Sequence, residues 1–228
     1  MAESITIVDI QQITHDVKRF TLDRPNGYTF TPGQATEVSI DKKGWREEKR
    51  PFTFTSLPED ENLEFTIKIY QDHGGVTNEL DKLKKGDRLL IGDSWGTIQY
   101  DGPGVFLAGG AGVTPFIAIF RHLHKTDNLS TNKLIFANKS EQDIILREEL
   151  NNILGDDFIN VITQTKPEAH GNPRLTYLSG FIDKEYLEGA IDDFDQNFYV
   201  CGPPPFNNSM IQHLKELGAE PSALVFEQ

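Results

Sequence analysis

The 228-residue sequence predicts two domains in tandem: an antiparallel β-barrel over residues 1–100, then an open parallel α/β sheet over residues 101–228. Three observations carry this. Up to Tyr100 the chain runs in short alternations of apolar and polar residues broken by turn signals. Asp101-Gly102-Pro103-Gly104 then has a linker's composition. Beyond it, apolar runs alternate with helical stretches, the pattern of βαβ units whose right-handed crossovers build a parallel sheet.

In the first half the strands are predicted at residues 5–10, 17–22, 35–40, 51–56, 63–70 and 88–91, punctuated by Pro32-Gly33 and Lys43-Gly44. Gly74-Gly75-Val76-Thr77 interrupts them and opens a short helix over 78–83. In the second half strands are predicted at 105–108, 133–137, 158–163, 198–201 and 224–226, with helices at 116–124, 144–154, 184–189 and 205–217.

A hydrophobic content of 37% with 25% charged residues describes a soluble globular chain able to bury a core. The net charge of −13 argues against nucleic acid and anionic membranes as partners, and it is uneven. Residues 1–100 hold 13 Lys and Arg against 17 Asp and Glu; residues 101–228 hold 9 against 18. No apolar run approaches the ~20 residues of a membrane span, and the first ten residues lack a signal-peptide pattern, so a cytoplasmic location is expected. Cys201 is the lone cysteine, which excludes an internal disulfide framework and a cysteine-ligated iron–sulfur cluster. Any redox cofactor must then be organic. His15, His73, His122, His124, His170 and His213 show no ligand spacing, and no metal is expected.

The stretch Arg50-Pro51-Phe52-Thr53-Phe54-Thr55-Ser56 alternates with period two, placing Phe52 and Phe54 on one side and Thr53 and Thr55 on the other. An aromatic face can stack on a planar heteroaromatic ring while hydroxyls bond its rim, and Arg50 offers a forked cation for a phosphate. A barrel strand with one buried face has the same pattern. Gly74 to Thr77 leaves backbone N–H groups open at a helix start, with the Thr77 hydroxyl beside them. Gly110-x-Gly112-x-x-Pro115 lets the chain turn tightly after a strand, with Thr114 as helix cap and Pro115 as first helical residue. It departs from the dinucleotide fingerprint, which has a third Gly or Ala where Pro115 stands. Cys201-Gly202-Pro203-Pro204-Pro205 follows a predicted parallel strand, where open sheets bind ligands, although a lone cysteine is as a rule a small buried hydrophobe.

In this order and spacing, these four motifs closely resemble the ferredoxin-NADP reductase superfamily over nearly the whole chain. Residues 136–150, which begin Phe136-Ala137-Asn138-Lys139-Ser140, look most like its NADH-cytochrome b5 reductase branch. The resemblance implies FAD bound by residues 50–56 and 74–77, and NADPH or NADH bound by the second domain. It further implies that Arg50 pairs the pyrophosphate, Phe52 packs on the isoalloxazine, Thr53 bonds flavin N5, and the backbone of Lys68, Ile69 and Tyr70 runs along the FAD. Cys201 would stand beside the nicotinamide. Phe52 replaces the family's usual tyrosine, which keeps stacking and loses a phenolic bond. Many relatives end in an aromatic that covers the flavin, and Phe226, followed by Glu227 and Gln228, is the candidate here. By analogy, Asn138, Lys139, Lys166 and Arg174 meet the adenosine end; Thr165-Lys166 stands where the NADH branch tends to carry Asp, which leans the reading towards NADPH or dual use.

The resulting expectation is hydride transfer from NAD(P)H to flavin N5, with Thr53 and Cys201 at the reacting centre, then single-electron transfer to an acidic carrier such as flavodoxin or ferredoxin. Lys42, Lys43, Arg46 and Lys49, with Trp45 among them, and Lys82, Lys84 and Lys85 would form its basic dock. Three alternatives share the sequence: a reductase component of an oxygenase, an NAD(P)H:flavin reductase, and a non-enzymatic electron-transfer subunit.

Overall fold

The computed structural model describes residues 2–96, 98–165, 176–220 and 224–226, with backbone alone for residues 73, 176–178 and 224–226. Strands β1 Glu3–Thr14, β2 Val17–Asp23, β3 Ala35–Ile40, β4 Arg50–Thr53, β5 Asn62–Lys68 and β6 Arg88–Trp95 form an antiparallel sheet in the order β4-β3-β6-β1-β2-β5. Its outer strands meet at the bridge between Phe54 and Phe65, which closes the barrel.

That closure corrects the reading of Phe54. Its ring is fully buried, stacked on Phe30 at 4.3 Å and tilted against Phe65 at 5.0 Å, so it belongs to the barrel core and offers nothing to a ligand. Phe52 is half-buried and packs against the same core. The predicted strand 51–56 stops at Thr53, because Thr55 already donates its N–H to Glu64 across the seam, at 2.8 Å. The helix after Gly75 is α1, Val76–Leu80.

The second sheet comprises β7 Gly104–Gly109, β8 Lys133–Asn138, β9 Phe158–Ile162, β10 Thr176–Ser179, β11 Asn197–Cys201 and β12 Leu224–Phe226. All neighbours are parallel, in the order β10-β9-β8-β7-β11-β12. Four helices join them: α2 Thr114–Lys125, α3 Arg147–Leu154, α4 Lys184–Ala190 and α5 Pro204–Glu216. The four-residue strand β10 was not predicted; it follows a stretch of sequence with no apolar period. Strand order reverses between β7 and β11, where a parallel sheet opens a crevice at its carboxyl ends.

Helix α2 is buried from Pro115 to Phe120 because it has two neighbours. Phe116 and Phe120 meet Phe106 of the sheet at 5.0 and 4.6 Å, while Val17 and Ile98 of the barrel join the same apolar cluster. A helix apolar on most of its circumference is what such a sandwiched position requires. Residues 101–104 are also firmer than a linker. The Tyr199 hydroxyl accepts from the Asp101 N–H and donates to the Gly102 carbonyl, and the Asn132 amide oxygen accepts from the Gly104 N–H at 3.1 Å. Burial pushes the Tyr199 phenol up to about 12, so it stays a donor. No helix among the described residues is long and apolar enough to cross a membrane.

Candidate functional site

The hydroxyls of residues 53–56 separate by what they meet. Thr55 donates to Glu64 at 2.8 Å and lies 3.1 Å from the Thr66 hydroxyl, and Ser56 accepts from the Glu64 N–H at 3.0 Å. Both are engaged inside the seam. Thr53, alternating with the inward Phe52 and Phe54, faces out of the barrel but is only 7% exposed, and its hydroxyl has no partner among the described residues. It shares a row with Ala35 and Trp95 across three strands, a span of roughly 10 Å. Trp95, 45% exposed at the end of this row, was not singled out from the sequence.

Arg50 and Pro51 are exposed beside Thr53; the Arg50 guanidinium donates to the Lys49 carbonyl at 2.6 Å. Gly74 takes a left-handed φ of 57° and Gly75 caps α1 without a side-chain bond. Thr77 accepts from the Tyr70 N–H at 3.2 Å, which places the exposed Tyr70 ring next to this turn. Lys68 is held by Asp16 at 2.7 Å, and Ile69 is buried. Val76 is buried in the barrel core.

Glu79 links these two segments. Its carboxylate takes Lys42, from the loop before β4, at 2.6 Å and Lys82 at 2.7 Å, and the Lys42 bond above all holds its pKa below the ordinary value. The expected basic dock is corrected by the same pairing. Arg46 lies on Asp41 at 2.7 Å and Lys49 on Glu37 at 3.4 Å. Only Lys43, Lys84 and Lys85 of the set pair with no carboxylate among the described residues, so the surface is mixed in charge.

At the reversal of strand order, Gly109 leads into a 3-10 turn, Gly110–Val113, and then α2. Gly112 packs on the loop after β11: a β-carbon there would fall 2.6 Å from the Gly202 Cα and still closer to the Cys201 carbonyl. Thr114 is not the helix cap; it is the first helical residue and donates to the Ala111 carbonyl at 3.0 Å. Pro115 sits in the first turn as expected, and Pro203 precedes Pro204 at the start of α5. The Cys201 side chain is 3% exposed within the apolar cluster around α2.

At the end of β8, Asn138 is buried and neither atom of its carboxamide has a partner among the described residues. The N–H groups of Gln164 and Thr165 donate to the Lys139 carbonyl, so these two chain ends run side by side, with the Lys139 side chain exposed. Gly180 donates to the Ile162 carbonyl at 3.0 Å, which brings Phe181 to this same edge, 73% exposed. An aromatic directly after a glycine was the available signal, and it was missed. Lys166, Arg174, Glu227, Gln228 and the Phe226 side chain lie outside the described residues. A groove of about 1360 Å³ runs between barrel and sheet, lined by Thr14, Leu57, Glu64, Arg121, Ser140 and Thr165 among others. At its edge His15 lies 3.7 Å from Asp16 and 3.8 Å from Asp143.

A closed antiparallel barrel followed by an open parallel sheet, with glycine-bearing loops in backbone contact where the strand order reverses, is the architecture of a two-domain nucleotide-binding protein. The family models described as "Oxidoreductase FAD-binding domain" and "Oxidoreductase NAD-binding domain" match residues 4–100 and 106–212. The chain is 30% identical to NADH-cytochrome b5 reductase 1 of Arabidopsis thaliana over 234 residues, covering 94% of this chain and 80% of that one. It is 26% identical to the ferredoxin–NAD(P)(+) reductase component of the naphthalene 1,2-dioxygenase system of Pseudomonas putida, covering 95% of this chain and 65% of that one. The fold matches a ferredoxin NADP+ reductase from Neisseria gonorrhoeae, solved with FAD and NADP, with a TM-score of 0.83 at 21% identity over 99% and 98% of the two chains. The chain therefore belongs to the FAD- and NAD(P)-dependent oxidoreductases of the NADH-cytochrome b5 reductase type.

Proposed function

We propose that this chain takes a hydride from NAD(P)H at a flavin held against Thr53 and passes electrons singly to a carrier protein, flavodoxin or ferredoxin being the class of partner. The observation that carries the reading is the outward Thr53 hydroxyl, unpartnered among the described residues, at the end of a strand beyond which the Thr55 and Ser56 hydroxyls are engaged. When bound, the flavin supplies the chemistry, accepting two electrons as hydride and releasing them one at a time. The protein's part is binding and orientation.

In this reading residues 1–100 form the FAD domain and residues 101–228 the NAD(P) domain. Thr53 donates to the ring edge, Phe52 and Tyr70 lie along the flavin, and Arg50 and the turn 74–77 meet its phosphates. Gly110–Val113 and the loop after Cys201 hold the pyridine nucleotide. The orphaned Asn138 amide supports placing a polar ligand near that end of the sheet. With only three lysines of the basic set unpaired among the described residues, docking would rest on shape and the exposed Trp95 more than on net charge.

A second reading, the reductase component of an oxygenase, has the Pseudomonas relative in its favour and shares all of this chemistry. A cytoplasmic site of action is proposed for either. Absorption spectra of the purified protein under nitrogen, before and after NADH or NADPH, test the reading: a yellow protein bleached by either nucleotide supports it. A yellow protein bleached by neither would overturn it. Reoxidation by flavodoxin, ferredoxin or an oxygenase then separates the partners.

A further inference from the structure

We infer that Arg121 is a positioning residue for hydride transfer, tying the helix behind the nucleotide turn to the strand that carries Thr53. This rests on the assignment of the two faces proposed above. Arg121 is on α2, and its side chain is 17% exposed. Nε and Nη2 form a fork on Glu149 of α3, at 2.5 and 2.9 Å. Nη1 crosses to the barrel, reaching the Thr55 carbonyl at 2.5 Å and Glu64 Oε1 at 2.6 Å.

These bonds engage four of the five N–H groups of a guanidinium, a pattern that an ammonium cannot reproduce. Burial disfavours the charge, and the two carboxylates outweigh it, so the pKa is raised further above its already high value. The grip falls on the barrel seam, where Thr55 and Glu64 also bond each other. Thr53, the last residue of β4, is two residues before Thr55 along the extended chain, roughly 7 Å, and Thr114 is seven residues back along the helix, roughly 10 Å. The bridge of Phe54 to Phe65 and the Thr55 bond to Glu64 hold the first path to the barrel seam, so one side chain links the two reacting faces.

The other contacts across this interface are less directional, among them His15, which lies 3.8 Å from Asp143 with its side chain 57% exposed. Val17 and Ile98 meet α2 through apolar surface, which tolerates sliding, and the ion pair of Lys125 with Glu59 is half exposed and screened by salt. Hydride donor and acceptor must approach to roughly 3–3.5 Å, and a misplacement of about 1 Å can lower the rate 100-fold.

The test compares the FAD-loaded full chain with Arg121→Lys and Arg121→Gln in anaerobic stopped-flow reduction by saturating NADH or NADPH, whichever bleaches the wild type. The limiting rate is expected to fall roughly tenfold or more in both variants, with flavin midpoint potential and flavin content unchanged and nucleotide Kd altered less than about threefold. In the cofactor-free protein, amide exchange over residues 53–56 is expected to accelerate in both. A limiting rate within about twofold of wild type, or full rescue by lysine, overturns the inference. Should the glutamine variant not retain flavin, the lysine variant decides by the same criteria. A wild type that no pyridine nucleotide reduces would overturn the oxidoreductase reading itself, and this inference with it; a reducible wild type with unaffected variants removes the positioning role alone.

Discussion

Gly112 lies so close to the carbonyl of Cys201 that no β-carbon fits between them. Two loops from opposite sides of the strand reversal are thus in backbone contact, and the glycine of the motif is required for packing whatever it does for a phosphate.

Gly112→Ala should therefore wedge these loops apart. Backbone cannot rotate out of the way as a side chain can, so a destabilisation of about 1–3 kcal/mol is expected. For a chain of this size that lowers Tm by roughly 2–4 °C per kcal/mol, and KM for the pyridine nucleotide should rise with it. Calorimetry and steady-state kinetics check both.

Thr53→Val and Thr55→Val should behave as opposites. Thr53 has no protein partner to lose, so the cofactor-free Tm should stay within the equivalent of about 0.5 kcal/mol, while flavin reduction slows about two- to tenfold for one lost hydrogen bond. Thr55→Val removes a buried partner of Glu64 and should destabilise by about 1–3 kcal/mol. A large Tm loss in Thr53→Val would make that residue structural.

Glu79 should make the link between α1 and the loop before β4 sensitive to acid. Its folded pKa lies below the ordinary 4.5, so its contribution is full above about pH 4.5 and disappears as pH falls through the folded value. Glu79→Gln should lower Tm and flavin retention at pH 7, and its difference from wild type should shrink below about pH 4.5. Melting curves of both proteins across that range provide the comparison.

Phe181 is exposed and part of no core cluster, so Phe181→Ala should leave Tm unchanged. If its ring receives the adenine of the nucleotide, stacking of about 1–3 kcal/mol is lost and Kd rises roughly 5- to 150-fold. Titration of the oxidised protein with NAD+ and NADP+ gives the answer.

Lys166 bears on the choice of nucleotide through its place in sequence after Thr165, whose backbone runs beside Lys139. Lys166→Ala should reduce kcat/KM for NADPH more than for NADH. Equal losses would end the idea of a 2′-phosphate contact.

Much of the architecture was legible from local pattern. Ala35–Ile40 falls on its predicted strand, and α2 and β11 lie within one or two residues of expectation, because steric period and apolar spacing act over a few residues. The open parallel sheet followed from alternating strands and helices with glycine turns between them, whereas the reversal of strand order between β7 and β11 came only from the tertiary structure. Strand β10 and Phe181 were missed because they follow a stretch with no periodicity.

Other features arise only when distant segments meet. Phe54 turns inward because the seam closes on Phe65, and that closure engages Thr55 and Ser56 while leaving the Thr53 hydroxyl without a partner among the described residues. Lys42 is neutralised by Glu79, 37 residues away, and Arg121 reaches Thr55 across 66 residues. Residue type and spacing encode short-range preferences, so they name the strand, the turn and the helix. Which hydroxyl stays free and which cation is paired depends on long-range packing, where each polar group settles on whatever partner the closed chain brings within about 3 Å.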